Sequence, residues 1–315
     1  MTSSGLNLEE KKRGRDEGIP MNYNLSIGLG MVAGVLARLF MLRVDYRQYP
    51  TYPHGMVTHL ALGFIAALIG SVLVPALVFK QFAAVTFLAL AAQEFRQVRN
   101  MERETLSKLE EAELVPRGLD YIEGIAKTFE ARNYLTMATA LTVSGLAVAS
   151  GWWAALVGAL FWLIASQFLM KGKVVGDIAE VVPAELHFQG SLLMVDKIFI
   201  MNVGLPEMRE KILAEGLAVL IKPRDDNGRA TLHHVGQRQA ILHTAASLLG
   251  TKREIGELEF TPLARKNIDT GEIGLFILPV EKDFDCLREI INRVPVLESA
   301  SRKPLSTLAG RIAAD

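Results

Sequence analysis

The chain has a single cysteine, Cys286, in 315 residues, which excludes an internal disulfide and suits a reducing compartment. No local nucleophile signature surrounds it. Excess charge of one sign is also lacking, because 34 Lys and Arg balance 34 Asp and Glu. No net field therefore draws the protein to nucleic acid, which is not an expected partner. Residues 1–20 hold no apolar core of the kind a signal peptide needs. No phosphate-cradling glycine motif occurs, and no cofactor or metal is expected. Internal repeats and low-complexity tracts are missing as well.

What the chain does have is apolar residues. Half of it is hydrophobic and 22% is charged, with a mean hydropathy of +0.25, a balance that fits a protein built partly in a membrane. Five apolar runs stand out, at 25–42, 56–79, 82–92, 134–150 and 152–170. A bilayer takes roughly twenty apolar residues to cross, so 82–92 is the short one: a tilted span, a re-entrant hairpin or a helix buried among the others. Gly28, Gly30 and Gly34 would let helices approach closely, and Arg38 is near enough to a span end to snorkel outward. Pro75 would kink the second run. Trp152 and Trp153 read as interfacial anchors. Residues 93–113 read as an exposed helix with charges of both signs.

After Lys171 and Lys173 the pattern changes to alternating strand and helix signals. Residues 195–203 and 274–280 read as strands, 217–221 as a short buried strand, and 207–216 and 287–293 as helices. Residues 232–249 read as one amphipathic helix ended by Gly250. The expected fold class is an α-helical multi-pass membrane domain of about five helices followed by a small soluble α/β domain. Its parts are a disordered tail at 1–20, the transmembrane domain at 21–173, the soluble domain at 174–300 and a loose tail at 301–315.

Basic residues in short loops set orientation. Arg43 and Arg47, the Arg- and Lys-rich 93–133 segment, and Lys171 with Lys173 all fall on one side if five segments cross. That places them, and the soluble domain, in the cytoplasm of a cell-membrane protein. The basic cluster Lys11-Lys12-Arg13 contradicts this orientation, and translation starting at Met21 would remove the conflict.

Two stretches carry candidate chemistry. Arg43-Val-Asp-Tyr-Arg-Gln-Tyr-Pro50 is a polar loop wedged between the first two apolar runs, and it resembles the first-aspartate segment of prepilin peptidases and related GxGD-type membrane aspartic proteases. The proline spacing differs. The resemblance implies that Asp45 is one catalytic acid and that a second acid opens a later membrane helix. Asp120, in Arg-Gly-Leu-Asp120, fits that position, although the glycine stands two residues ahead of the acid and the Gly-x-Gly-Asp pattern is incomplete. Asp177, in Val-Val-Gly-Asp177-Ile, is the alternative, and Glu123 a helper. Exposed acids mostly solvate a loop or pair with a neighbour, and Asp45 could do the same with Arg43 or Arg47.

The second stretch, Tyr121-Ile-Glu-Gly-Ile-Ala126, matches the hexapeptide for which the YIEGIA family of bacterial membrane proteins is named. With the 45–55 loop, it marks the chain after Met21 as similar to that family nearly throughout. The family's association with endospore formers implies a role in sporulation. Other signals carry less. Asp269-Thr-Gly271 lacks the apolar strand that pepsin-like enzymes place before that triplet and reads as a turn. His233, His234 and His243 lack the glutamate of a metalloprotease helix and read as structural or surface residues. Two functions follow: a membrane aspartic endopeptidase acting on a cytoplasmic protein substrate through Asp45 and Asp120, or a non-enzymatic membrane scaffold that recruits a protein partner through the soluble domain.

Overall fold

The computed structural model describes residues 21–45, 53–111, 113–169, 172–254, 257–258 and 260–313. The chain forms two compact units. One runs to Asn100 and resumes over Thr128–Lys171, and the other combines Met101–Lys127 with Gly172–Asp315.

The first unit is helical. Its helices are α1 (Met21–Asp45), α2 (Pro53–Val78), α3 (Phe82–Gln93), the start of α4 (Phe95–Glu110), most of α5 (Leu119–Ser150) and α6 (Trp152–Leu169). Among the described residues, three stretches are long and apolar enough to cross a membrane: Tyr23–Leu42, Met56–Val78 and Trp152–Leu169. The other two expected spans do not meet that standard. Helix α3 has 12 residues, about 18 Å of helix at 1.5 Å per residue, and α5 begins with Asp120, Glu123, Lys127, Glu130 and Arg132 before its apolar half.

Small residues set the packing. A Cβ at Gly34 would lie 2.8 Å from Ala67 Cβ of α2 and 3.1 Å from Ala140 Cβ of α5, whereas Gly28 faces open space. Two of the three expected close-approach glycines thus act as such, since Gly30 also abuts Ala140 and Ser144. The Ser144 hydroxyl donates to the Ser71 carbonyl at 2.8 Å, tying α5 to α2. Trp152 and Trp153 stack with ring centroids 3.8 Å apart and stay exposed.

The second unit is built on antiparallel sheets. Strands β1 (Ala179–Pro183), β5 (Leu217–Pro223), β9 (Ile273–Ile277) and β8 (Leu263–Lys266) pair in that order. Strands β2 (Leu186–Gln189), β3 (Leu192–Val195) and β4 (Ile198–Asn202) form a second sheet, and β6 (Arg253–Glu254) pairs with β7 (Glu257–Leu258). Ala218, Leu220 and Phe276 join Leu193, Val195, Ile198, Ile200 and Ile212 in one core. The other face of the four-stranded sheet is covered by helices, with α9 (Asp226–Leu232) against β5 and α11 (Phe284–Asn292) against β1. Burial on both faces explains why β5 and β9 read as unbroken apolar runs.

Helix α8 (Pro206–Glu215) and strand β5 lie where the periodicity puts them. The 195–203 run is not one strand: Asp196, at φ +50°, turns the chain, and β3 and β4 pair as a hairpin. The expected helix at 232–249 is two, because His233 and His234 separate α9 from α10 (Val235–Leu249). Beyond Ala300 the chain still forms a short 3₁₀ turn, Pro304–Ser306, and helix α12 (Leu308–Ile312).

Candidate functional site

The amino end of α10 is where sequence-predicted residues gather. His234 is its N-cap, and the ring Nδ1 accepts from Gly236 N at 3.2 Å. Asp120, in the first turn of α5, lies across Gly236, and a Cβ at 236 would overlap the Asp120 carboxylate and its Cβ. Only glycine leaves that space. The Asp120 side chain is half-buried and, among the described residues, takes part in no hydrogen bond or ion pair. The start of a helix, with its unpaired N–H groups, is a favourable seat for negative charge.

The chain reaches Asp120 through a strap, 113–118, that one face of α10 holds. Glu110 at the end of α4 accepts from the Arg117 and Gly118 backbone N–H groups, and Gly118 takes φ +87° to turn into α5. Gln239 Nε2 donates to the Pro116 carbonyl at 2.5 Å. His243 Nδ1 lies 2.6 Å from the Val115 carbonyl, and Arg117 Nε donates to His243 Nε2 at 3.1 Å. A carbonyl on one ring nitrogen and a donor on the other require a neutral ring protonated at Nδ1. Burial, foremost, and the neighbouring Arg117 charge hold His243 below the usual imidazole range, against the opposing pull of Val115, Glu113 and Glu110. Residues 236, 239 and 243 recur at helical spacing on one face, which is why one helix meets Val115, Pro116 and Arg117 of the strap as well as Asp120.

The hexapeptide continues this seam. Tyr121, Ile122, Ile125 and Ala126 are buried. Glu123 faces Arg103 at 3.8 Å. Gly124 sits beside Leu297, whose backbone N–H donates to Gln237 Oε1 at 2.8 Å.

The other sequence candidates fall elsewhere. Asp45 is the last residue of α1, in the first unit. Its side chain, and residues 46–52 that follow it, lie outside the described residues. Asp177 acts locally, its Oδ2 accepting from Val174 N at 2.9 Å and closing the short helix α7 (Val175–Ile178). Asp269-Thr270-Gly271 forms the turn between β8 and β9, with Asn267 Oδ1 accepting from the Asp269 and Thr270 N–H groups and Gly271 at φ +77°. The histidines hold separate posts, His233 Nε2 lying 3.2 Å from the Gly271 carbonyl. Cys286 is exposed in the first turn of α11.

A polar centre in the first unit escaped the sequence reading. Arg38 does not snorkel outward; it is fully buried. Its stem fills the space beside Gly63, one guanidinium nitrogen donates to His59 Nδ1 at 3.0 Å, and its Cζ stands 5.6 Å from the Phe129 ring centroid. Arg132, Asn133 and Thr136 of α5 are buried as well. Ionisable residues on apolar helices that face the bundle are the signal that would have found it.

No solved structure matches this chain. The family model described as YIEGIA protein matches residues 26–307. The uncharacterized protein YphB of Bacillus subtilis (strain 168) is 44% identical over 283 residues, which cover 90% of this chain and 95% of that protein. The hexapeptide buried in the seam beside α10 is thus part of a match that runs through both units, and the chain belongs to the YIEGIA protein family.

Proposed function

We propose that this protein is a membrane-embedded aspartic endopeptidase that cleaves a cytoplasmic protein substrate during sporulation, with Asp45 and Asp120 as its dyad. The observation that carries the reading is the state of Asp120. Of the acids considered for the second position, Asp177 caps a helix and Glu123 faces Arg103. Asp120 alone is half-buried with a carboxylate not engaged by any described residue. In such a dyad one carboxylate is ionised and takes a proton from water. The other is protonated and polarises the scissile carbonyl, because two like charges a few ångströms apart do not both ionise. Water oxygen bonds to the carbonyl carbon, the C–N bond breaks, and the leaving amine takes up the proton. The basic loops support a cytoplasmic soluble unit, and the family's association with endospore formers supports the timing.

The second reading is a membrane scaffold that recruits a partner through the soluble unit, favoured by exposed apolar residues there: Val235 and Leu248 on α10 and Ile268 before β9. Comparing proteome-wide peptide abundance between wild type and variants separates the two. Asp120→Asn and Asp45→Asn should each stabilise the same substrates at normal membrane abundance, while Asp177→Asn should not. An Asp120→Asn strain with a wild-type peptide profile would establish the scaffold reading in its place.

A further inference from the structure

The strap before Asp120 is held by polar contacts from α10 and by Glu110 of α4, and one of the α10 contacts depends on the protonation of a buried ring. We infer that Gln239 and His243 are positioning residues that fix the 113–118 strap, and through it Asp120, and that acid releases this hold by protonating His243. Its relevance to catalysis rests on the endopeptidase reading; the device itself does not.

Neutral His243 donates through Nδ1 to the Val115 carbonyl and accepts the Arg117 Nε–H on Nε2. A proton added at Nε2 turns that acceptor into a donor facing another donor, and it sets an imidazolium against a guanidinium. The Arg117 contact is then lost, and no acceptor from Arg117 replaces it. The groups that face the ring are Arg117 and Glu113 from the strap and Glu110 from α4. On its own helix, the Ser247 hydroxyl lies 3.4 Å from Nε2. The two glutamates favour the cation, but burial and Arg117 outweigh them.

The sign follows. The folded value lies below the ordinary imidazole value of about 6.5, so the unfolded chain binds the proton first as pH falls. The clamp's contribution is complete above that value and is lost as pH drops through the lower, folded one. Gln239, which bonds the Pro116 carbonyl without a titrating group, holds the strap at any pH.

Hydrogen exchange of the full-length protein in lipid nanodiscs, read as protection factors across pH 5–8, tests this. In wild type, peptides covering 113–121 should lose protection by about tenfold or more below the imidazole range, while β5 and β9 stay protected. His243→Phe should leave the strap poorly protected at every pH. Gln239→Leu should lower its protection at every pH and keep the acid transition. A flat wild-type profile, or a strap unmoved by both variants, would overturn the inference. If His243→Phe also loosens β5 and β9, Gln239→Leu decides alone: lowered protection with the transition supports the inference, and anything else refutes it. Because exchange does not read activity, failure of the dyad would show separately, as an Asp120→Asn strain whose peptide profile matches wild type.

Discussion

At the residue scale, two glycines make opposite predictions. Gly236 lies in α10 under Asp120, and the overlapping atoms include the Asp120 Cβ, which cannot swing aside. Gly236→Ala should therefore destabilise the second unit by about 1–3 kcal/mol despite alanine's better helix propensity. Gly124, inside the signature hexapeptide, has only Leu297 near its would-be Cβ, at 3.9 Å. Gly124→Ala should be neutral or stabilising by up to about 1 kcal/mol. Thermal unfolding of the two variants checks both signs. The place of Asp120 in the first turn of α5 was legible from sequence, where it opens a helix beside an unusual hexapeptide. Gly236, Gln239 and His243 were not, because the partners that give them meaning lie more than a hundred residues earlier in the chain. The Asp-Thr-Gly triplet was read correctly as a turn, since the residues before it are polar.

At the scale of elements, periodicity located helices and strands well and their ends poorly. The two histidines that break 232–249 have no strong stop signal of their own; the break comes from His234 capping α10, a tertiary choice. In the same way Asp196-Lys197 makes a hairpin out of an apolar run. The reading of α4 as a solvated helix missed that Phe95 is buried against Ala66 and Ile69, and that Arg99 bonds Glu130 at 3.1 Å. In the bundle of the first unit, Arg38→Met should cost about 1–3 kcal/mol, because the buried hydrogen bond to His59 Nδ1 is removed. Exposed Leu36→Ala, two residues away, should change stability by less than about 0.5 kcal/mol. Melting temperatures of the purified protein in detergent compare the two.

At the scale of the whole molecule, span count and chemistry are linked. If only the three long apolar helices cross, the connection between the first two spans and the 93–133 segment emerge on opposite faces, and Asp45 and Asp120 cannot share a water. If α3 and the apolar half of α5 cross as well, the acids share a face. The endopeptidase reading requires the second case, so a cysteine at Lys108, exposed on α4, should react with a membrane-impermeant maleimide only after permeabilisation. One at Gly151 should react from outside in intact cells. The most direct measurement is of the two acids themselves, made as Asp45→Cys with Asp120→Cys in a Cys286→Ser background, the single native cysteine being removed. A short bis-methanethiosulfonate reagent should join the two positions rapidly within one chain, while Asp45→Cys with Asp177→Cys should remain unjoined. Contradiction would be a pair at 45 and 120 that reacts with monofunctional reagent from opposite sides of the membrane and never cross-links.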